Sequence, residues 1–306
     1  MFAYTVTPIA KVDFAKLNGH VVKIGADEKR RAENVVSVND GLMVTHYVMF
    51  YKGLEKLLVK VCAAISIIVN WTAGTPVEEY QEAMKTLVNA LWLVKHKSTE
   101  KRHSKLDGII SISSCCLNNP FCLARMQDKD SICSHCYAAS QQKVQHGLTE
   151  HNVINGLILQ NVGIPAYAFR EHMKKRVAGY DTMRIESFGD IASVMQACNY
   201  IQFVMAFPTK RVAAWSKNVA MWLRAFDMMG GKPSNLSFVT SSNRVNERDV
   251  YNDCRINHDF TVYSGDYIKV NSIAINCGGR SCKSCIENHV GCYFTDTARE
   301  IREELK

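Results

Sequence analysis

Nine of the twelve cysteines fall in two short segments, and this limits what the chain can be more than any other feature. The first segment reads SSCCLNNPFCLARMQDKDSICSHCYA and holds Cys115, Cys116, Cys122, Cys133 and Cys136. The second, CGGRSCKSCIENHVGC, holds Cys277, Cys282, Cys285 and Cys292. Reducing compartments disfavour structural disulfides, and thiols at short spacing in such a chain usually hold metal. Cys133 and Cys136 form a C-x2-C pair, which lets one turn present two sulfurs to one metal. Cys115 and Cys116 are neighbours and point apart, so one of them, expected to be Cys116, faces that site. The expected ligands are Cys116, Cys122, Cys133 and Cys136, then Cys277, Cys282, Cys285 and Cys292. The second segment begins C-x4-C-x2-C, the plant-type ferredoxin spacing, but its fourth cysteine follows after six residues. Gly278, Gly279 and Gly291 let the backbone bend around a cluster. The spacings favour an iron–sulfur cluster of the 4Fe-4S kind, with a closed zinc site as the alternative. Cys62, Cys198 and Cys254 stand apart and read as small core residues.

A hydrophobic share of 47% supports a sizeable core. The net charge of +8 permits contact with nucleic acid without requiring it. No secretory leader opens the chain, and the most apolar run, Val61 to Val69, is shorter than the roughly 20 residues a membrane span needs. The expectation is a cytoplasmic protein with no membrane partner. A solvated basic linker is expected from His96 to Lys105.

Two regions are expected: a mainly helical one over 1–105 and an α/β barrel-like metal-binding domain over 106–306. In the first, Thr75 and Glu78 have capping-box spacing, and Tyr80, Met84, Leu87, Val88 and Leu91 share one face of a helix from Pro76 to Lys95. In the second, candidate strands are 108–113, 182–186, 202–207, 236–240, 260–263 and 272–276. Between them lie helical patterns over 168–178, 191–197 and 211–229, the last with Trp215 and Trp222 on one face. Apolar strands separated by helices suggest parallel pairing, in an open sheet or a partial (β/α) barrel. Closure would bring the first and last strands, and so the two cysteine groups, together.

Ligands of such sheets bind at the C-terminal strand ends. There the chain carries Arg184, Glu186 and Asp190 (RIESFGD), then Lys210, then Ser241, Ser242 and Asn243. These are candidates to bind a small polar or anionic ligand. Glu186 or Asp190 would act as acid or base, and Lys210 and Arg184 would stabilise negative charge. The plainer reading pairs Arg184 with Glu186 and makes Asp190 a helix cap. His135 reads as an exposed loop residue. No GxGxxG, Walker, HExxH or nucleophile-elbow motif is present, which argues against ordinary nucleotide and hydrolase chemistry.

Residues 104 to 292 resemble the bacteriophage gene product 88 family. The matching pieces are SKLDGIISIS, NNPFC, SICSHCYA, RIESFGD, the run from PTKR to WSKN, KPSNLSFVTSS and the closing cysteine group. The resemblance implies a viral protein of the host bacterial cytoplasm, with a barrel-like α/β fold and cysteine-bound metal of iron–sulfur type. Barrel and cluster together invite comparison with radical S-adenosylmethionine enzymes. Their C-x3-C-x2-C motif is missing, since Cys282 and Cys285 are preceded by an x4 spacing, so that cofactor is not expected.

Overall fold

The computed structural model describes residues 52–99, 104–277 and 281–305, together with the strand segments 4–5, 19–24, 32–39 and 42–47. Those segments are β1 (Tyr4–Thr5), β2 (Gly19–Ile24), β3 (Ala32–Asn39) and β4 (Leu42–Tyr47), joined in one sheet of order β1-β4-β3-β2. Two helices follow, α1 (Lys52–Val69) and α2 (Val77–Ala90). Among the described residues the start of the chain thus holds a four-stranded sheet as well as the two helices.

The main sheet has seven strands: β5 (Val94–Lys95), β6 (Ile110–Ile112), β7 (Thr182–Ile185), β8 (Arg211–Ser216), β9 (Leu236–Ser241), β10 (His258–Tyr263) and β11 (Glu300–Glu304). They lie side by side in chain order, with β5 antiparallel to β6 and every later neighbour parallel. The connecting helices are α3 (Pro120–Gln127), α4 (Tyr137–Val144), α5 (His146–Asn161), α6 (Ala166–Val177), α7 (Val194–Ala206), α8 (Val219–Met228), α9 (Gly265–Asn271) and α10 (Cys282–Glu287). The class is mixed α/β, but among the described residues the sheet does not close. β5 takes the edge of β6 that a barrel would offer to β11, so β5 and β11 stand at opposite edges.

Sequential parallel strands joined by right-handed crossovers carry the crossover helices on one face; here α5 to α8 lie on that face and α10 on the other. The side-chain alternation of β8 separates the two faces: Val212 and Ala214 enter the helix-side core, while Ala213 and Trp215 pack on the other side. Ile110, Ile112, Met183, Ile185, Leu236 and Phe238 join the helix-side core, around Trp222 and Phe226 of α8. Trp222, Phe226 and Phe238 are fully buried and mutually in ring contact. Burying each such side chain stabilises the fold by roughly 1.5–3 kcal/mol. The opposite face packs Ile109, Val239, Phe260 and Val262 against Cys282, Cys292, Tyr293 and Phe294.

The boundary expected at residue 105 does not divide two cores. Leu58 and Val61 of α1 and Met84, Leu87 and Val88 of α2 lie in the helix-side core, because α2 covers its apolar face against α6. The capped helix starts at Val77 and ends at Ala90, with Pro76 as the cap residue and no side-chain bond from Thr75 to its backbone. Three strand readings also change. Residues 202–206 belong to α7 and Phe207 is its C-cap; the helix exposes methionines, Met195 and Met205, where a surface helix would carry polar residues. Residues 211–216 form β8, so Trp215 is on a strand and Trp222 on a helix. Residues 272–276 are not a strand: α9 ends at Ser272 in the left-handed region (φ 53°), and the last strand is β11. No described helix is long and apolar enough to cross a membrane.

Candidate metal centre

The first cysteine group is built at the C-terminal end of β6. Residues 113–115 leave the strand, and a turn of 3-10 helix holds Cys116. Asn119 then caps α3: its Oδ1 accepts from the Phe121 N–H at 3.0 Å and the Cys122 N–H at 3.5 Å, with Pro120 in the first turn. Ser131 Oγ accepts from the Cys133 N–H at 3.2 Å, and the Cys136 N–H reaches Cys133 O at 3.1 Å. Local polar caps thus fix Cys122 and Cys133, and a backbone bond fixes Cys136. Cys136 itself stands at the N-cap of α4.

These thiols act on one another. Cys116 hydrogen-bonds Cys136, and Cys122 feels both Cys133 and Cys136. The bond from Cys116, aided by the Ala139 and Ala138 N–H groups at the start of α4, lowers the Cys136 thiol to about 6. A thiolate at a helix N-terminus is the expected nucleophile and metal ligand. Burial raises Cys122 and Cys133, and Cys116 is raised by its bond to Cys136 and by burial. Lys217 opposes the rise at Cys133. Both neighbouring thiols reach Gln142 Oε1, Cys116 Sγ at 2.9 Å and Cys115 Sγ at 3.4 Å, and the same oxygen accepts from the Cys116 N–H at 3.0 Å.

The second group lies over the sheet face opposite the helices. Asn276 ties its start to β11: its Nδ2 donates to Glu300 O at 3.0 Å, and its Oδ1 accepts from the Arg302 N–H at 2.8 Å. Cys277 N–H bonds Arg302 O at 3.0 Å, and Cys282 N–H bonds Lys105 O at 2.8 Å. Ser281 caps α10 through the Ser284 N–H at 3.1 Å. Gly291 has φ 85° and lies beside the Cys285 side chain, with its virtual Cβ 3.7 Å from that Sγ. The turn therefore needs a residue free of the L-side-chain restriction. Gly278 and Gly279 fall outside the described residues. Burial raises Cys277, Cys282 and Cys292, each opposed by nearby cations: Lys105 and Arg184 at Cys277 and Cys282, and Arg184 at Cys292. Cys292 also feels all three of the other thiols in this group.

Both groups have a lysine. Lys105 Nζ is 3.5 Å from Cys277 Sγ and 2.6 Å from Glu303 Oε1 on β11. Burial lowers the Lys105 ammonium, but Cys277 and Glu303 outweigh it and raise it. Lys217 directly follows β8, with Nζ 2.9 Å from Ser241 Oγ, and acts on Cys133 and Cys136. Among the described residues, no set of three or more His, Cys, Asp and Glu groups forms a ready metal-holding geometry.

The sequence-derived polar residues separate into distinct places. Glu186 lies buried beneath the first group with φ 55°. Its carboxylate accepts from Tyr200 Oη at 2.6 Å, from Gln196 Nε2 at 2.8 Å and from Ser114 Oγ at 2.8 Å. Burial pushes its pKa up to about 7 in spite of these bonds. Gly189 is required here, because a Cβ would come within 2.8 Å of Glu186 Oε2 and Ser114 O. Asp190 accepts from Lys217 N–H at 2.7 Å and from the Ser216 hydroxyl; burial raises it while those bonds oppose the rise. It joins the ends of β7 and β8 rather than only capping a helix. Arg184 does not pair with Glu186. It projects to the cysteine face, with its guanidinium carbon 4.5 Å from the Trp215 ring centre.

Lys210 is not at this mouth. It precedes β8 and pairs with the exposed Asp181 at 3.3 Å, at the N-terminal strand end. The correction follows from 202–206 being helix: the residues after it begin a strand instead of ending one. Ser241 holds Lys217, Ser242 Oγ donates to Phe260 O at 3.0 Å, and Asn243 donates twice to Asp249 Oδ2. Asn243 O also accepts from Ile132 N–H at 2.9 Å, which joins β9's end to the first cysteine loop. His135 is exposed, Cys62 and Cys254 are exposed rather than core residues, and Cys198 packs partly buried on the helix-side core. The basic run is not wholly solvated: His96 Nε2 lies 2.8 Å from Ser111 Oγ, and Lys105 is tied down as above, while 100–103 fall outside the described residues.

Lys105, Lys217, Gln142 and Tyr293 were not legible as site residues. Only Lys217 had a usable signal, a cation directly after a strand, and it was hidden because that strand read as helix. No family model, no curated protein and no solved structure matches this chain.

Proposed function

We propose that the chain is an iron–sulfur protein whose two cysteine groups bind metal on adjoining parts of one sheet. The carrying observation is the first group's thiol set. Cys116, Cys122, Cys133 and Cys136 act electrostatically on one another, and one of them is already poised as a thiolate beside Lys217. Cys277, Cys282, Cys285 and Cys292 make the second set, with Lys105 and Arg184 as cations. Bound iron–sulfur would supply one-electron redox chemistry. The chain's own part is to supply thiolates, to balance their charge and to wall the site with apolar residues such as Leu117, Phe188, Phe260 and Phe294.

Within this reading the curled seven-stranded sheet is a partial barrel. Lys105, ahead of β6, reaches Glu303 on the far edge strand, which supports that curvature. Tyr137 feels Cys136 of the first group together with Arg184, Lys105 and Glu303 beside the second, so the two centres would be neighbours. The resemblance to the gene product 88 family belongs to the same proposal, as does a bacteriophage origin. Serine at both Cys133 and Cys136, or at both Cys282 and Cys285, is expected to remove part of the visible absorption and of the iron. Full iron and full colour in both double variants would refute the assignment.

A further inference from the structure

We infer that Arg184, together with Tyr293, is the built-in counter-charge and hydrogen-bond donor set for a metal–thiolate centre at Cys277, Cys282, Cys285 and Cys292. The inference rests on the reading that this group holds metal.

Arg184 sits on β7 with its side chain on the face opposite the helices, across from Ala213 in register and over the Trp215 ring. Its Nε has no exposure and no hydrogen-bond partner. Trp215 Nε1 is likewise buried and unpartnered on the same face, and the buried Tyr293 hydroxyl stands beside the Arg184 guanidinium with no acceptor for its own proton. The groups that act most strongly on the guanidinium are the phenols of Tyr293 and Tyr137 and the thiols of Cys282 and Cys292. A buried guanidinium faced chiefly by phenols and thiols, and buried donors without acceptors, would each cost free energy. Four thiolates around a metal bring more negative charge than the metal cancels, and their sulfurs accept hydrogen bonds. Metal loading would therefore satisfy both deficits at once. The sequence placed Arg184 at a ligand mouth with Glu186, but its surroundings are thiols instead. Lys105 already holds Cys277 by a direct contact, so Arg184 serves the other side of the group, toward Cys282 and Cys292.

The test uses the full chain with C133S and C136S, which leaves the first group two short of its four expected ligands and the second group complete. Metal release to a chelator is compared for Arg184, R184Q and R184K, with thermal unfolding as a check on the fold. Loss of the cation is expected to speed release about tenfold or more, the usual size for an outer partner of a metal ligand. R184K, which keeps the charge, is expected to recover most of that loss. For an iron–sulfur centre, R184Q is also expected to shift the reduction equilibrium about tenfold toward the oxidised form, about 59 mV lower for one electron. If R184Q fails to fold, Y293F carries the test, with faster release expected from loss of one donor. Equal release in R184Q and R184K, or in Y293F and the parent, would overturn the inference, as would a second group that takes up no metal. Zinc without sulfide would refute the iron–sulfur reading alone, because the release comparison decides the role of Arg184 for either metal.

Discussion

The Cys136 thiol, at the N-cap of α4, is hydrogen-bonded by the Cys116 thiol from the end of β6. This one contact joins two parts of the first group separated by a whole helix, and it carries the expectation that Cys116 is the ligand of the adjacent pair. Both thiols also reach Gln142 Oε1, Cys116 at 2.9 Å and Cys115 at 3.4 Å. Substituting Cys116 by serine is therefore expected to lower iron and sulfide at the first group, and C115S is expected to leave both unchanged. Metal and sulfide analysis of the two variants checks this; equal loss in both would contradict it.

Lys217 and Lys210 make a matched pair of opposite expectation. Lys217 faces Cys133 and Cys136, whereas Lys210 sits at the other strand end in a surface ion pair. Such pairs contribute about 0–1 kcal/mol. K210A should leave metal content and visible spectrum intact. K217A should weaken metal retention at the first group by about tenfold, as loss of an outer partner does. Chelator competition on both variants decides it, and a larger effect from K210A would contradict the geometry.

Glu186 gives a pH-dependent stability with a definite sign. Its native pKa is raised from 4.5 to about 7 by burial. A carboxyl raised in the native state binds its proton more tightly there than in the unfolded chain. Its contribution is thus present below pH 4.5 and is lost as pH rises through about 7, a loss of roughly 3 kcal/mol at one pKa unit per 1.36 kcal/mol. E186Q should flatten this part of the profile, because glutamine keeps hydrogen bonds without titrating. Urea unfolding of both proteins at pH 5 and pH 8 measures it. An unchanged slope in E186Q would refute the assignment.

Trp222 tests the corrected fold. It is fully buried between Tyr200, Phe226 and Phe238 in the helix-side core. W222A is expected to cost about 3–5 kcal/mol while leaving the cysteine face chemically unaltered. Denaturant unfolding gives the number, and a loss under 1 kcal/mol would contradict the packing described.

The α/β class, the strands 108–113, 182–186 and 236–240 in outline and both cysteine groups could be read from the sequence. Those features carry local signals: short apolar runs bounded by turn residues, and thiols at ligand spacing. What could not be read was non-local. β8 is buried on both faces from Val212 to Ala214, and α7 exposes apolar Met195 and Met205, so their apolar runs lack the period that separates strand from helix. Sheet closure depended on β5, a two-residue strand with no signal of its own. Arg184 paired by sequence proximity with Glu186, yet Glu186 takes a left-handed backbone and turns under the first group, where Tyr200 and Gln196 receive it. The cations Lys105 and Lys217 meet thiols distant in sequence, and no spacing rule joins them.

The central claim is that the clustered thiols hold iron and sulfide. Anaerobic purification of the full chain, followed by iron, acid-labile sulfide and zinc analysis with electron paramagnetic resonance of the reduced protein, tests it most directly. The account predicts a brown protein with iron and sulfide in comparable amounts and a reduced-cluster resonance. A colourless protein with stoichiometric zinc, no sulfide and no resonance would contradict it.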